Sequence, residues 1–134
     1  MRRQRAGDLA EDLFCAELVR LGCVAWATGG TAGVKELWDG RKIGIRLGND
    51  IFSCFDIIGM DRAGVVLVQV KGGKEYEGPD KDWRARFALL PHPPRLRYLW
   101  AYLGTDGWRV ERLLSDGTRL RLEWPPVKEG SVAS

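Results

Sequence analysis

The sequence is short of the residues that most often carry chemistry by themselves. It has one histidine, His92, set between Pro91 and Pro93. A lone imidazole with no partner is a weak candidate for acid–base work. Three cysteines (Cys15, Cys23 and Cys54) are an odd number with no Cys-x-x-Cys pair. A zinc site would need ligand spacing that is absent, so reduced, packed thiols of a cytosolic protein are the expectation. No apolar run reaches the ~18–20 residues of a membrane span. The basic N-terminus runs straight into an amphipathic pattern and does not read as a signal peptide. The glycine-rich run Thr28-Gly29-Gly30-Thr31-Ala32-Gly33 is not closed by Gly-Lys-Ser/Thr, which excludes a Walker loop. One asparagine and two glutamines hint at a heat-adapted or GC-rich source. No internal repeat is evident.

What is present fits one globular domain. The chain has 134 residues, 45% hydrophobic and 29% charged, enough for a real core. The net charge is +3, and the cations are mostly arginine, 15 against 6 lysines. That balance permits a polyanionic partner without demanding one. The domain is expected over residues 1–126. Residues 127–134 follow Pro125-Pro126 and read as a disordered tail.

Residues 1–21 give the clearest helix: Ala6, Leu9, Ala10, Leu13, Phe14, Leu18 and Leu21 recur at spacings of three and four, and Gly22 stops it. Glu11 precedes Phe14, Cys15 and Leu18 by three, four and seven residues, so it borders the apolar stripe. It reads either as a helix-surface charge or as an acid aimed at a site. Arg2, Arg3 and Arg5 oppose the helix dipole at its start, which suits phosphate contact better than helix stability. Cys23–Ala27 reads as a strand. The run 28–33 is a loop where backbone can approach a ligand closely. Residues 34–50 read as an extra hairpin or long excursion with a basic edge. Further on, Asp82 is the expected cap of a short helix from Trp83 to about Leu90. Segments 97–103, 108–113 and 118–124, separated by Asp106-Gly107 and Asp116-Gly117, form a meander rich in Trp and Tyr. Its aromatics are candidates for core or for an interface.

The chain is organised around Phe55-Asp56-Ile57-Ile58 and Val65-Val66-Leu67-Val68-Gln69-Val70-Lys71. Asp61-Arg62-Ala63-Gly64 between them reads as a hairpin turn. If Asp61 and Gly64 close a two-residue loop, Asp56 lies opposite Gln69, with Lys71 on the Gln69 face. A bulge at Gly64 would shift this by one. Asp50 is a rival acid, less favoured because Asp56 sits in apolar flanks and pairs with Gln69. A carboxylate, an amide oxygen, the Val70 carbonyl and an ammonium are the parts needed to hold a hard cation and activate water for phosphodiester hydrolysis. Glu11 could reach in from the helix. Lys71 could orient water, deprotonate it or neutralise a phosphate; the pattern does not choose. An Asp near a turn and a Lys at a strand end are also common on ordinary surfaces.

The order Glu11, Asp56, hairpin, Gln69-Val70-Lys71 resembles the PD-(D/E)XK nuclease superfamily. More narrowly, Arg5-Ala6-Gly7-Asp8-Leu9-Ala10-Glu11, then Leu18 to Val24, then Gly29-Gly30-Thr31, is similar to the opening of archaeal-type (Hjc-like) Holliday junction resolvases, with a phage source conceivable. The resemblance covers roughly residues 2–71. It implies an α/β fold: a mixed, largely antiparallel central sheet flanked by helices, restriction-endonuclease-like. It implies Mg²⁺, with Mn²⁺ as a substitute, held by Glu11, Asp56, Gln69 and the Val70 carbonyl. Lys71 becomes the catalytic lysine and Thr31 a phosphate-positioning residue.

The implied activity is structure-selective cleavage of four-way DNA junctions by a homodimer in the cytoplasm, on the nucleoid or in a host cell. DNA contacts are expected from Arg2, Arg3, Arg5, Gly29, Gly30, Thr31, Arg41, Lys42, Arg46, Lys74, Arg84 and Arg86. Two departures stand out. Position 69 is Gln where the resolvases usually have Glu, and the 32–50 excursion is longer than the family's usual link, as a DNA-contacting flap or dimer arm would be. The rivals are another nuclease of the superfamily acting on duplex DNA in restriction or repair, a non-catalytic DNA-binding relative, and a protein-interaction domain.

Overall fold

The structure, a computed structural model, describes residues 6–27, 33–36, 42–45, 51, 52, 54–73 and 78–126. Helix α1 (Ala6–Arg20) is followed by strands β1 (Val24–Ala27), β2 (Gly33–Glu36), β3 (Lys42–Ile45), β4 (Ile57–Asp61) and β5 (Gly64–Gly72). Helix α2 (Lys81–Phe87) precedes β6 (Leu96–Gly104), β7 (Gly107–Leu113) and β8 (Arg119–Arg121). Six strands form one sheet in the order β1-β4-β5-β6-β7-β8, and β2 pairs with β3 as a separate hairpin. Within the six-stranded sheet β5 and β6 are parallel and the other neighbours antiparallel. The expected mixed, largely antiparallel sheet is therefore observed, with a helix on each face.

The α1 face is built by alternation. Val66, Val68 and Val70 of β5 point to it and meet Ala10, Phe14 and Leu18, spaced four apart along one side of the helix. Phe14 is fully buried, with Trp108 edge-on at 4.9 Å and Trp124 stacked at 5.1 Å. The buried stripe is narrower than the sequence suggests, because Leu9 and Leu13 are 49% and 44% exposed. Leu21-Gly22 ends the helix, and the Gly22 φ of 93° is the left-handed turn that glycine allows.

On the other face, Leu67, Tyr98, Trp100 and Leu113 pack with Cys54, Phe55, Trp83 and Phe87. The meander's Tyr98 and Trp100 are thus core residues, each 1% exposed. The cap of α2 is Asp80, not Asp82: its carboxylate accepts from the Trp83 amide at 2.8 Å, and the helix begins at Lys81. Placing the cap there turns Trp83 and Phe87, one turn apart, onto the sheet.

Among the described residues, no element covers the rest of this face. Ala25 and Ala27 of β1 pack on the α1 side, so Val24 and Trp26 stand on the opposite side, 56% and 58% exposed. They lie across from Met60 and Ile58 of β4. The surface runs on into a hollow lined by Ile51, Phe52, Ile58, Val65, Leu67, Pro93 and Leu96, with Arg95 the one charged residue among the described residues that line it. Phe52 is 58% exposed and has a φ of 55°, which a bulky residue rarely adopts.

The β4–β5 turn is locked by a buried ion pair. Arg97 donates to Asp61 at 2.6 and 3.1 Å and to the Gly64 carbonyl. Gly64 has a φ of 129°, and a Cβ there would collide with the Arg95 carbonyl oxygen. None of the three cysteines forms a disulfide. Burial raises the Cys15 and Cys23 thiols above their ordinary range, so neither is a ready thiolate at neutral pH. No helix among the described residues is long and apolar enough to cross a membrane.

Candidate active site

The hairpin register is Asp61↔Gly64 through Ile57↔Val68, with no bulge. The regular pairing stops there, and Asp56 does not continue it to Gln69. The Asp56 amide donates to the Val68 carbonyl at 2.8 Å, the last rung of the ladder. The chain then leaves the sheet, because Phe55 pairs with Ile51 instead: their backbone groups exchange bonds of 2.7 and 3.0 Å. Val70 is therefore beyond the reach of a β4 partner strand. The Asp56 carboxylate takes that position, and its Oδ2 accepts from the Val70 amide at 3.1 Å. A bond to an ionised acceptor of this kind is worth about 1.5–3 kcal/mol. The N–H and C=O of one strand residue point to the same neighbour, so the Val70 carbonyl faces the side on which the Asp56 carboxylate lies.

Gln69 is 4% exposed, and its Oε1 is buried with no hydrogen-bond partner. A buried orphan acceptor costs about 1–3 kcal/mol and calls for an explanation. A bound cation would supply one, since Oε1, the Val70 carbonyl and the Asp56 carboxylate are all hard oxygen donors. Asp56 is 5% exposed, so this corner is nearly dry. Among the described residues no three His, Cys, Asp or Glu side chains come together as a metal group. The donor set is mixed, one acid with an amide and a backbone carbonyl.

Lys71 is half-buried at the end of β5, two residues beyond Gln69 on the same face. Helix α1 runs antiparallel to β5: Leu18 lies by Gly59, while a Cβ on Gly72 would come within 3.2 Å of the Ala10 Cβ. Glu11, the next residue of the helix, is thereby delivered to the same end of the sheet as Asp56 and Lys71. Asp56, Val70, Gln69 and Lys71 thus lie at one end of the β4–β5 pair, and Glu11 lies at that end on the helix that covers the face opposite Gln69 and Lys71.

The remaining candidates fall elsewhere. Arg84 lines a hollow with Asp116 and Arg119 beside the β7–β8 turn, at the far end of the sheet from Lys71. Arg86 is exposed on α2. Lys42 belongs to β3. Arg2, Arg3, Arg5, Gly29, Gly30, Thr31, Arg41, Arg46, Asp50, Lys74 and the 127–134 tail lie outside the described residues.

Tyr102 is the neighbour that sequence reasoning missed. It pairs with Lys71 across the parallel β5–β6 ladder, and its hydroxyl donates to the Gly73 carbonyl at 2.9 Å. The Arg109 guanidinium sits over its ring at 5.3 Å. Tyr102 pins the chain just past Lys71. The alternation Tyr98-x-Trp100-x-Tyr102 showed a common face; only the parallel pairing reveals which residue it borders.

No family model matches the sequence, and no curated protein matches it either. The fold does have a counterpart. A solved structure of Hjc from Archaeoglobus fulgidus, a Holliday junction resolvase of an archaeal hyperthermophile, superposes with a TM-score of 0.53 over 88% of each chain at 18% identity. The fold is Hjc-like. The likeness is one of fold, and it agrees with the fold that the resemblance in the order of Glu11, Asp56 and Gln69-Val70-Lys71 implied.

Proposed function

We propose that this chain is a Mg²⁺-dependent endonuclease that resolves four-way DNA junctions. One observation carries the reading. In an Hjc-like fold, the Asp56 carboxylate accepts from the Val70 amide on the strand that also carries Lys71 and the buried, unpartnered Gln69 Oε1. Asp56, Gln69 and Val70 would hold the cation, with Glu11 completing the set from α1. When bound, the cation supplies a Lewis acid for the phosphodiester and lowers the pKa of water. Asp56 is held in place by the Val70 amide, so it is oriented before substrate arrives. Gln69, nearly buried, contributes an oxygen whose direction is fixed by packing. Lys71 presents an ammonium to the phosphate or to the attacking water. Thr31 and the glycines before it would position an adjacent phosphate, and Arg2, Arg3 and Arg5 with Arg41, Lys42 and Arg46 of the excursion would hold the arms. Such contacts place DNA without reading its sequence and weaken with salt.

Symmetric cutting needs two sites related by a two-fold axis, so the proposal includes a C2 homodimer. The meander's aromatics are spent on the core. The surface that suits a second copy is the uncovered sheet face with Val24, Trp26, Phe52 and Met60. Among the described residues its lining is nearly free of charge, which suits a protein surface better than DNA. Covering those four side chains would bury on the order of half the ~800 Å² per partner of a standard interface. The exposed Phe52, held at positive φ, is the kind of strain that a covered surface repays.

The test is cleavage of a synthetic four-way junction and of linear duplex in Mg²⁺. The proposal expects paired nicks across the junction and little cutting of duplex. Equal cutting of duplex would point to a restriction- or repair-type enzyme. Salt-dependent binding with no nicking of any substrate would point to a non-catalytic relative, the reading that an amide at position 69 favours.

A further inference from the structure

The sheet face that carries α2 changes character where the helix stops covering it. Paired strands set residues of one face in rows. Leu67, Tyr98 and Leu113 form one row, which ends on Arg119 of β8. Gln69, Trp100 and Glu111 form the next, which ends on Arg121. Lys71, Tyr102 and Arg109 form the third. Trp83 and Phe87 pack on the first two rows, over Leu67, Tyr98, Trp100 and Leu113. Outside that cover lies a margin, with half-buried Lys71, Tyr102 and Arg109 at one end of the sheet and exposed Arg121 and Arg119 along the β8 edge.

The three rows hold four cations against one acid, Glu111. That excess of three equals the net charge of the whole chain, so a polyanion finds more attraction here than the composition suggests. Two of the guanidiniums are held in place. Arg109 lies over the Tyr102 ring at 5.3 Å, and the Tyr102 hydroxyl is tied to the Gly73 carbonyl. A stacked guanidinium keeps its edges for phosphate oxygens. Arg119 meets Glu111 at 3.5 Å, a weak surface pair that a phosphate can replace. Gly78 lies against the Arg119 guanidinium and leaves it space that a Cβ would take. Asp116, in the turn before β8, accepts from the Thr118 amide at 2.8 Å. Strand geometry sets Lys71, Arg109, Arg121 and Arg119 in steps of roughly 7–10 Å, close enough for long side chains to follow one sugar–phosphate strand.

We infer that this margin is a phosphate track: Arg109, Arg121 and Arg119 hold the backbone of one DNA arm and lead it from Lys71 over the β8 edge of the sheet. This rests on the nuclease reading and adds to it three DNA-positioning residues. All three lie outside residues 2–71, the stretch that carries the family resemblance. Arg84, which lines a hollow with Arg119, prolongs the track where it leaves the sheet.

The experiment measures binding of the full chain to a four-way junction over a range of salt, without metal so that nothing is cut. Arg109→Gln, Arg119→Gln and Arg121→Gln are combined. A matched triple, Arg20→Gln, Arg62→Gln and Arg112→Gln, removes the same charge from α1, the β4–β5 turn and the opposite face of β7. Each lost phosphate contact lowers the slope of log affinity against log salt by about 0.9. The margin triple should lose about two to three units of slope, and on the order of a hundredfold in affinity at ~0.1 M salt. The matched triple should lose less than one contact's worth. Arg109→Lys, Arg119→Lys and Arg121→Lys together should keep most of the slope, because the charge stays. A loss there as large as with glutamine would show a packing role and overturn the track. An unchanged slope in the margin triple overturns it too and leaves the surface to an acidic protein. So does a matched triple that loses as much, since net charge would then explain both. A wild type that binds no DNA overturns the nuclease reading, and the track with it.

Discussion

The Asp56 carboxylate accepts the Val70 amide at 3.1 Å, filling the ladder position that β4 vacates when Phe55 turns to pair with Ile51. The bond fixes the carboxylate against the strand that carries Gln69 and Lys71. Asp56→Asn keeps an oxygen acceptor for the amide but removes the charge. Junction cleavage should fall by at least ~100-fold, the scale of losing several kcal/mol of charge stabilisation at a metal-assisted site. Junction affinity measured without metal should hold, and the melting temperature should move little. Full cleavage by this variant would transfer the acidic role to Asp50.

Lys71 separates binding from chemistry in a second way. It is half-buried, and Tyr102 beside it clamps the Gly73 carbonyl. Lys71→Ala should cut the single-turnover cleavage rate by ~10²–10⁴-fold, the usual contribution of a positioned acid–base or electrostatic group. One lost cation among many phosphate contacts should weaken junction binding far less. Tyr102→Phe removes the clamp and leaves the ammonium. A fall in its cleavage rate, with junction affinity held, would mark Tyr102 as a positioning residue. Unchanged rates would confine it to packing.

Much of this corner was legible because it is local. The Asp61–Gly64 turn sets the register as far as Ile57 and Val68, and strict alternation then puts Gln69 and Lys71 on one face; the departure of Asp56 from the ladder, where its amide bonds Val68, did not show. The helix was also legible, though the spacing puts Leu9 and Leu13 in its buried stripe and they are exposed, while Ala10, Phe14 and Leu18, four apart, meet the sheet. What did not show is non-local. Asp80 and Asp82 are both acids before an apolar turn, and only the position of the sheet decides which one caps α2. The parallel β5–β6 pairing joins segments some thirty residues apart, so nothing near Lys71 announces Tyr102. The exposed apolar face depends on which side of β1 the helix covers, which alternation leaves open.

The far end of the hairpin should govern stability without touching the site. Arg97 and Asp61 have side chains only 4% and 2% exposed, so this pair belongs with buried rather than surface ion pairs. Removing one partner strands the other charge, a loss of about 3–5 kcal/mol. Arg97→Ala should therefore lower the melting temperature by roughly 10–15 °C for a domain of this size. Gly64→Ala should also destabilise, because its backbone is left-handed and its Cβ would meet the Arg95 carbonyl. In both variants, Mg²⁺-dependent cleavage per folded molecule should match wild type at a temperature where both are native. A melting temperature unchanged in Arg97→Ala would show that the pair is solvated in solution.

Assembly gives the remaining prediction. Trp26 is 58% exposed beside Ile58 on an edge strand, so in a lone protomer a polar side chain there should cost little and relieve an apolar surface. In a dimer seated on this face, Trp26→Asp would bury a carboxylate against its symmetry mate. Sedimentation at micromolar protein should find wild type at twice the chain mass and Trp26→Asp at the chain mass, with the monomer's melting temperature largely kept. The cleavage pattern should change in parallel, from paired cuts across the junction to single, uncoordinated nicks, because each site would then act without its mate. A wild type that sediments as a monomer on junction DNA as well as free would remove the two-fold argument. A Trp26→Asp chain that stays dimeric would move the interface to another face of the molecule.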